Sequence, residues 1–364
     1  MTIWPDTATS PKGLRPLRHI VPEASHVQAL RQAGALFAWS ADRWIIAWGQ
    51  PEKSRRPDPA RVAFYAPDFY LQDTEPWRIF PETAAVSPDA LARLIEESSP
   101  ARTWRSFDPA AYAKAFAETE TAIRRGALRK AVPAVFDTSE GPLCAAERMH
   151  ALRALANLPA GLMPYGCWDA NRGIIGASPE LLFEYDGVEI RTMAVAGTAG
   201  AGTVPDDILE DPKERAEHQL VLDDLTTQLS PLGELVRGVT RLWRIGILSH
   251  LRTDIRLLTT RQPAFDELVR RLHPTPAVAT APRTVWSEWI SRLDTAPRGS
   301  FAAPFGVLLP DGNAKCLVAI RQVQWDATMT RCGAGCGLVG ASRLEREMDE
   351  LRLKLTATRG NLGL

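Results

Sequence analysis

Residues 173–198 read GIIGASPELLFEYDGVEIRTMAVAGT, and this stretch decides the fold. It contains three apolar runs, which are Gly173–Ala177, Leu181–Tyr185 and Val188–Ala196. Asp186-Gly187 separates the second run from the third, and an Asp-Gly pair between apolar runs is typical of a tight β-hairpin turn. The stretch therefore predicts consecutive antiparallel strands rather than the strand–helix–strand units of a parallel sheet.

Helices are predicted on both sides of this hairpin. Asp108-Pro109 and Asp211-Pro212 each place a capping side chain before a proline, the pattern of a helix start. The predicted helices cover 110–125, 144–156, 214–229, 285–293 and 344–355. Further strands are predicted over 36–39, 44–48, 62–65, 128–136, 305–309 and 316–323, and a charged, proline-rich surface loop over 51–59. Helices interleaved with hairpins indicate an α+β fold with mostly antiparallel sheet.

The composition limits the kinds of partner. The 364 residues include 43 Lys and Arg against 43 Asp and Glu, so the formal net charge is zero. This balance argues against nucleic acid or an anionic membrane as the main partner. There is no apolar run of about 18 residues and no secretory signal, and the five cysteines lack zinc-site spacing. We expect a cytoplasmic protein that acts on a small molecule.

Two acidic pairs are candidate metal ligands. Glu214 and Glu217 lie three residues apart on one predicted helix, and Glu347 and Glu350 repeat this spacing on another. Such spacing puts both carboxylates of a pair on one helix face, and two faces that meet would present hard oxygen ligands suited to Mg²⁺. The alternative is a solvated helix surface balanced by neighbouring lysines and arginines, and spacing alone favours this alternative.

Other candidates also stay open on residue pattern alone, although for Lys130 the pattern favours a solvent-directed side chain. The glycine-dense run 333–337 before the last helix is either an oxyanion-binding loop or a tight turn. Lys130 lies in an apolar run, where it either extends its ammonium group to solvent or has the lowered pKa of a base. Glu180 is either a general acid or a loop carboxylate, and His250 is either a site residue or a core histidine.

Eight blocks, taken in order, resemble the chorismate-utilising enzymes, which include isochorismate, salicylate, anthranilate and aminodeoxychorismate synthases. The blocks are GALRKAV (126–132), GASPELL (176–182), AGT (196–198), KERAEH (213–218), LHPTPAV (272–278), VAIR (318–321), AGCGLVGAS (334–342) and ExxE followed by Lys354 (347–354). One block is weak evidence, whereas eight in the family's order are strong. The resemblance covers residues from about 107 to 357, and the first hundred residues match only loosely.

The resemblance implies a fold. It is the anthranilate synthase component I-like fold, a single large α+β domain in which antiparallel sheets pack face to face with helices outside. The domain would span 1–364, with 1–105 as a variable N-terminal part of the sheet and 106–364 as the catalytic core. The site would lie in a cleft.

The resemblance also implies roles. Glu217 and Glu350 are expected nearest Mg²⁺, supported by Glu214 and Glu347, and the metal would hold the ring carboxylate of chorismate. Lys130 matches the base that activates water at C2, and Glu180 matches the acid for the leaving C4 hydroxyl. Seven residues match substrate-binding positions, and they are Gly197, Thr198, Ala277, Phe301, Arg321, Gly335 and Lys354. His250 matches an active-site histidine.

Four residues place the chain nearest to isochorismate synthase, an isomerase of menaquinone or siderophore biosynthesis. Lys130 is typical of members that add water, since ammonia-using members have an amide there, and Ala196 replaces the nucleophilic lysine of aminodeoxychorismate synthases. Ala277 and Phe301 are apolar, whereas salicylate synthases have Thr and Tyr. No glutaminase subunit is expected.

Other readings stay open. The alternatives are an amine-transferring or lyase relative, namely an aminodeoxyisochorismate, anthranilate, aminodeoxychorismate or salicylate synthase, and a non-catalytic descendant. The departures from the family pattern are Pro133, Val135, Ala281, Ala303 and Lys315, and Lys315 would change the charge near the cleft.

Overall fold

The hairpin at Asp186-Gly187 forms as predicted and belongs to the larger of two antiparallel sheets. The computed structural model describes residues 17–96, 102–200, 205–246, 248–259 and 261–364. In spatial order the larger sheet contains β13 (Gly233–Arg237), β15 (Leu248–Thr259), β12 (Glu189–Gly200), β11 (Leu181–Tyr185), β18 (Ala314–Val318), β17 (Pro304–Leu308), β4 (Ala63–Tyr65), β5 (Trp77–Ile79) and β3 (Glu52–Ser54), and β14 (Arg241–Ile245) also pairs with β15.

The second sheet has eight strands, also antiparallel. In spatial order they are β6 (Glu82–Val86), β2 (Trp44–Trp48), β1 (Gly34–Ala38), β9 (Met163–Trp168), β10 (Gly173–Ser178), β19 (Gln322–Trp325), β20 (Met329–Gly335) and β8 (Ala134–Glu140). A short ribbon pairs β7 (Lys130–Ala131) with β16 (Thr280–Ala281). The α+β class and the antiparallel sheets are therefore confirmed.

Helices cover the outer faces of both sheets. Those on the eight-stranded sheet are α1 (Ala24–Gln32), α2 (Pro88–Ala92), α4 (Ala145–Leu155) and α9 (Leu344–Leu362). Those on the larger sheet are α5 (Pro205–Glu210), α6 (Pro212–Leu229) and α7 (Phe265–Leu272). The remaining pair, α3 (Pro109–Arg124) and α8 (Trp286–Leu293), contributes to a smaller apolar cluster beside β7. Within the described ranges, no helix is both long enough and apolar enough to cross a bilayer.

The core between the two sheets is apolar and aromatic. Alternate residues of the strands point inward because successive side chains in a strand face opposite sides. Phe305 of β17 stacks on Phe37 of β1, with ring centroids 6.2 Å apart, and its centroid lies 5.1 Å from that of Tyr165 of β9. This contact joins one sheet to the other within a larger apolar cluster that includes residues of both.

Two predicted strands are each divided in two. Residues 128–136 form β7 and β8, with a break at Val132-Pro133, and residues 316–323 form β18 and β19. The second break, Ala319–Arg321, carries the chain from the larger sheet to the eight-stranded one, and Arg321 has a φ of 55°. An apolar run has the same residue pattern whether the strand stays in one sheet or the chain passes to the other sheet. The sequence therefore gives no signal for this break.

Other boundaries differ less. The last helix continues to Leu362 rather than ending at residue 355, and the loop 51–59 contains strand β3. The other strands that were not predicted are β5, β6, β9, β13, β14, β15, β16 and β20. β13 and part of β15 carry exposed charged residues that interrupt the apolar alternation, because this end of the sheet is covered on one side only.

We expect Phe305→Ala to lower the free energy of unfolding by about 3–5 kcal/mol, because a large aromatic group is lost from a packed interior. The control is Met329→Ala, which truncates a side chain 39% exposed at the start of β20 and should cost less than about 0.5 kcal/mol. Chemical denaturation of both variants measures the difference. Equal losses would show that the two sheets do not depend on this contact.

Candidate active site

The chain crosses between the sheets at four places in its described residues, and two of these crossings lie side by side. Pro179-Glu180 links β10 to β11, and Ala319–Arg321 links β18 to β19. Three hydrogen bonds join the crossings, from the Ala177 amide to the Arg321 carbonyl at 3.0 Å, from the Val318 amide to the Glu180 carbonyl at 3.0 Å, and from the Ser178 hydroxyl to the Val318 carbonyl at 2.6 Å. The crossings therefore bring Glu180 and Arg321 together.

A cleft opens at these crossings. Nine of the predicted site residues line it, and each comes from a different segment of the chain. They are Glu180, Gly197, Glu217, His250, Ala277, Phe301, Arg321, Gly335 and Lys354. Thr198 lies on β12 opposite His250, and its side chain lies outside the described part of the structure. The sequence blocks thus converge on one cavity.

Lys130 lies directly behind this cleft. Its side chain is 0% exposed, and its Nζ is 2.9 Å from Oε1 of the cleft-lining Glu217. The solvent-exposed alternative for Lys130 is therefore wrong, because β7 pairs with β16 on one side and Ala131 bonds to Leu338 on the other. Because both groups are removed from water, each buried charge is stabilised only by the opposite charge beside it.

Gly337 leaves the space in which Lys130 and Glu217 form this ion pair. A Cβ at this position would lie 2.0 Å from Oε1 of Glu217 and 2.7 Å from Cε of Lys130. Any side chain at position 337 would therefore overlap the pair. The glycine-dense loop is needed here for close approach rather than for a turn alone.

The acidic pairs lie on α6 and α9, as predicted. Glu214 and Glu347 are fully buried, and the Lys213 ammonium lies 3.3 Å from Oε1 of Glu214 and 2.9 Å from Oε1 of Glu347. Arg346 also contacts Oε1 of Glu214, at 2.9 Å. The solvated-surface alternative is therefore wrong for these two residues. Burial opposes the charged form of Lys213, but the surrounding glutamates outweigh it and raise its pKa above the ordinary value.

Glu350 belongs to the substrate side of this cluster. Its Oε1 is 2.6 Å from Nζ of Lys354, which also donates to the Gly335 carbonyl at 2.9 Å. Each of the four predicted metal-binding carboxylates thus has a cationic partner within the protein. The cationic partners are Lys130, Lys213, Arg346 and Lys354.

The donor atoms fit a hard divalent cation. Oxygens of Glu347 and Glu350 and the sulfur of Cys336 lie within 4.8 Å of one another. Burial raises the pKa of the Cys336 thiol well above its usual range, and this thiol donates to the Glu347 carbonyl at 3.5 Å. The sulfur is therefore protonated and engaged, which leaves carboxylate oxygens as the available ligands, and these suit Mg²⁺.

Glu180 has the properties of a neutral acid. It is 4% exposed, and burial raises the pKa of its carboxyl group to about 7, against the opposing effects of Lys130, Thr275 and Lys354. A carboxyl group with this pKa is partly protonated at neutral pH, so it can donate a proton to a leaving group. Glu180 does lie in the loop between β10 and β11, but its burial there favours the interpretation as a general acid.

His250 and Arg321 complete the polar lining. Burial, together with Arg321 and Lys354, lowers the pKa of His250 to about 3, and its Nδ1 lies 3.1 Å from the Gly197 carbonyl. Burial also lowers the pKa of Arg321 to about 10, with Glu350 opposing. At neutral pH the cleft therefore holds an uncharged histidine beside a charged guanidinium.

The departures from the family pattern lie away from these charged groups or support them. Lys315 donates to the Trp39 carbonyl at 3.0 Å from the end of β18 opposite Arg321. The expected change of charge near the cleft is therefore wrong. Ala281 pairs with Lys130 in the β7–β16 ribbon, and Val135 of β8 is buried in the core.

Three residues of this region were not predicted as functional. The sequence pattern shows Lys213 and Arg346 only as charged neighbours of the acidic pairs, although both bind Glu214 directly. Arg298 was not considered, although its side chain donates to the carbonyls of two cleft residues. Lys213 could have been found by its place in the KERAEH block, whereas a single arginine in a loop gives no signal.

Comparison with known proteins gives the family. The model of the family described as chorismate binding enzyme matches residues 79–363. The chain belongs to this family. The resemblance in the sequence blocks is therefore confirmed, and the match begins before residue 106, where the catalytic core was predicted to start.

Individual relatives agree with this assignment. A salicylate biosynthesis isochorismate synthase of Pseudomonas aeruginosa is 35% identical over 251 residues, which cover 66% of this chain and 52% of the relative. An anthranilate synthase component 1 of Aeropyrum pernix is 32% identical over 205 residues, covering 53% and 47%. The chain thus spans about half the length of the curated relatives it matches.

A solved structure confirms the fold. The crystal structure of a putative 2,3-dihydroxybenzoate-specific isochorismate synthase, DhbC from Bacillus anthracis, matches with a TM-score of 0.78. The match covers 93% of this chain and 99% of that one at 21% sequence identity. The layered arrangement of two sheets and outer helices is therefore the fold of this chorismate-binding enzyme.

We expect Glu180→Gln to change how stability depends on pH. Folding raises the pKa of Glu180 from 4.5 to about 7, so between these values the folded chain binds a proton that the unfolded chain has released. The free energy of unfolding of the wild type should therefore fall relative to the variant as pH rises from about 5 to about 7.5, by roughly 2 kcal/mol. Urea denaturation at stepped pH measures the difference between the two proteins. A difference that stays constant across this range would contradict the raised pKa.

Proposed function

We propose that this chorismate-binding enzyme is a magnesium-dependent isochorismate synthase, which converts chorismate to isochorismate within one domain. The observation that carries the proposal is the pairing of a buried lysine with a partly protonated carboxyl group at one cleft. Lys130 touches the cleft through Glu217, and Glu180 lines it with a pKa of about 7. Adding water at C2 and expelling the C4 hydroxyl needs one base and one acid, and this pair supplies both.

The proton movements balance without a co-reactant. Lys130 must be unprotonated when substrate is bound in order to accept a proton from the attacking water, and Glu217 at 2.9 Å stabilises the ammonium group that forms. The ring double bonds shift as the C2–O bond forms and the C4–O bond breaks. Glu180 gives its proton to the departing hydroxyl, which leaves as water. One water enters and one leaves, so the product is an isomer of the substrate.

The cations of the cleft match the charge of the substrate. Chorismate carries two carboxylates, and Arg321 and Lys354 would bind the one on the enolpyruvyl group by charge-assisted hydrogen bonds. Glu217 and Glu350, supported by Glu214 and Glu347, would hold Mg²⁺. When bound, the metal supplies positive charge for the ring carboxylate. The neutral His250 would lie beside the ring without adding charge.

Amine transfer and pyruvate elimination have less support. Ala196 lines the cleft and has no nucleophilic atom, so a lysine adduct of the aminodeoxychorismate synthase type is not available at this position. Similarity to an anthranilate synthase component keeps the amine-transferring class as the second candidate. Lys130 favours water over ammonia, and the apolar Ala277 and Phe301 favour release of isochorismate over its conversion to salicylate.

The deciding experiment is a product assay. Purified protein incubated with chorismate and Mg²⁺ should give isochorismate on chromatography, and EDTA should abolish turnover. Parallel reactions contain an ammonium salt in place of buffer salt. An aminated product without isochorismate would show that the nucleophile is wrong, and release of pyruvate would show that the protein is a lyase.

Lys130→Gln should reduce kcat by at least about a hundredfold, because an amide cannot accept the proton of water at neutral pH. The KM for chorismate should change much less, because the proposed carboxylate-binding groups are on other segments. Steady-state kinetics at saturating Mg²⁺ measure both constants. The control is Lys114→Gln on the surface of α3, which should leave both constants at wild-type values. Full turnover by the Lys130 variant would remove this lysine from the mechanism.

A further inference from the structure

Arg298 is a fully buried arginine in the loop after α8. Its side chain is 0% exposed and forms a two-pronged ion pair with Asp294, with Nε to Oδ2 at 2.8 Å and Nη2 to Oδ1 at 3.1 Å. The guanidinium carbon lies 4.3 Å from the centre of the Phe69 ring. None of these groups takes part in the proposed reaction. The burial of the Arg298 charge therefore needs a different explanation.

The remaining donors of Arg298 hold two walls of the cleft. Nη1 donates to the Val278 carbonyl at 2.6 Å, and Nη2 donates to the Val132 carbonyl at 2.6 Å. Val132 follows Lys130 by two residues, and Val278 follows Ala277 directly. Both valines line the cleft. The Arg298 side chain therefore fixes the distance between the segment that carries Lys130 and the segment that carries Ala277.

The backbone of Arg298 holds a third wall. Its carbonyl accepts the Phe301 amide at 2.9 Å and the Gln324 side-chain amide at 2.7 Å. Phe301 lines the same cleft. Asp294 adds a further contact, since its Oδ1 accepts the Ala134 amide at 2.9 Å. Val132, Val278 and Phe301 are thus all held by one residue and its ion-pair partner.

Only arginine has the geometry for this junction. The planar guanidinium group presents its donors in a rigid fork, which here reaches one carboxylate and two carbonyl oxygens at once. A lysine at this position would keep the charge, but its ammonium is a compact point charge that cannot span the same acceptors. Lysine would therefore leave one of the two cleft carbonyls without its partner.

We propose that Arg298 is a positioning residue that sets the width of the apolar wall and so determines how tightly the substrate ring is held. This inference rests on the proposed function for its kinetic consequence, although the junction itself does not. Wall contacts with the ring are made in both the ground state and the transition state. Their loss should therefore raise KM more than it lowers kcat.

The test compares Arg298→Lys with a matched control. Arg148 is also a buried arginine whose guanidinium donates to two backbone carbonyls, those of Leu143 and Arg31, at 2.5 and 2.6 Å. It belongs to α4 on the other side of the eight-stranded sheet and does not line the cleft. Arg148→Lys should therefore cost similar stability without moving the cleft.

The first measurement is hydrogen exchange, which needs no turnover. In Arg298→Lys the amides of Ala134 and Val278 should exchange at least about tenfold faster than in the wild type, because both segments lose a fixed partner. In Arg148→Lys these two amides should exchange at the wild-type rate. Unchanged exchange in Arg298→Lys, or equal acceleration in the control, would overturn the junction.

The second measurement is steady-state kinetics with chorismate. Arg298→Lys should raise KM roughly tenfold with kcat within about threefold, and Arg148→Lys should leave KM unchanged. Faster exchange without a rise in KM would overturn the positioning role. If the wild type itself gives no isochorismate, the proposed function fails while the exchange result still decides the junction.

A milder variant protects the test against misfolding. Asp294→Asn keeps an oxygen for the Ala134 amide but loses the charge that holds the guanidinium. It should shift exchange and KM in the same direction as Arg298→Lys by a smaller factor. A wild-type KM together with wild-type exchange in this variant would contradict the role of the ion pair.

Discussion

Buried carboxylates need nearby positive charge, and this constraint organises the molecule. Glu214, Glu217, Glu347 and Glu350 all lie where water has little access, and an isolated ionised carboxylate in such a place costs several kcal/mol or more. Each has a lysine or an arginine beside it. Those cations come from β7, α6 and α9, so these three elements must meet for the site to be stable. The proposed base and the proposed metal site are therefore parts of one electrostatic unit.

The two adjacent sheet crossings supply the other part of the site. Where the chain passes from one sheet to the other, its backbone has no regular strand-to-strand hydrogen bonds. The side chains at such a crossing can point into the space between the sheets. Glu180 and Arg321 lie at these two crossings, and direct hydrogen bonds join them. Burial then shifts the pKa of each group toward its neutral form. The fold thus creates the unusual acid without needing a special neighbouring residue.

Much of this could be predicted from sequence, in ways that follow from physics. The helix starts at Asp108-Pro109 and Asp211-Pro212 and the hairpin at Asp186-Gly187 are local signals, and all three were correct. Spacing put Glu347 and Glu350 on one helix face but could not show that Lys213 would bury with Glu347, because that contact joins two distant helices. The function of single residues came from the order of the family blocks. Arg298 stayed hidden because its partners are backbone carbonyls, which every residue has.

The first hundred residues of the chain are shared between the two sheets. β1 can pair with β9, and β4 with β17, only after the later strand has been synthesised. β17 lies more than two hundred residues after β4 in the chain. At ribosomal speeds of about 5–20 residues per second, this interval lasts roughly 10 to 50 s. During synthesis β1 pairs early with β2, and β4 with β5, but the other edge of each strand stays unpaired until β9 or β17 emerges. We expect these open edges near Phe37 and Phe64 to be the parts of the nascent chain most in need of protection from association.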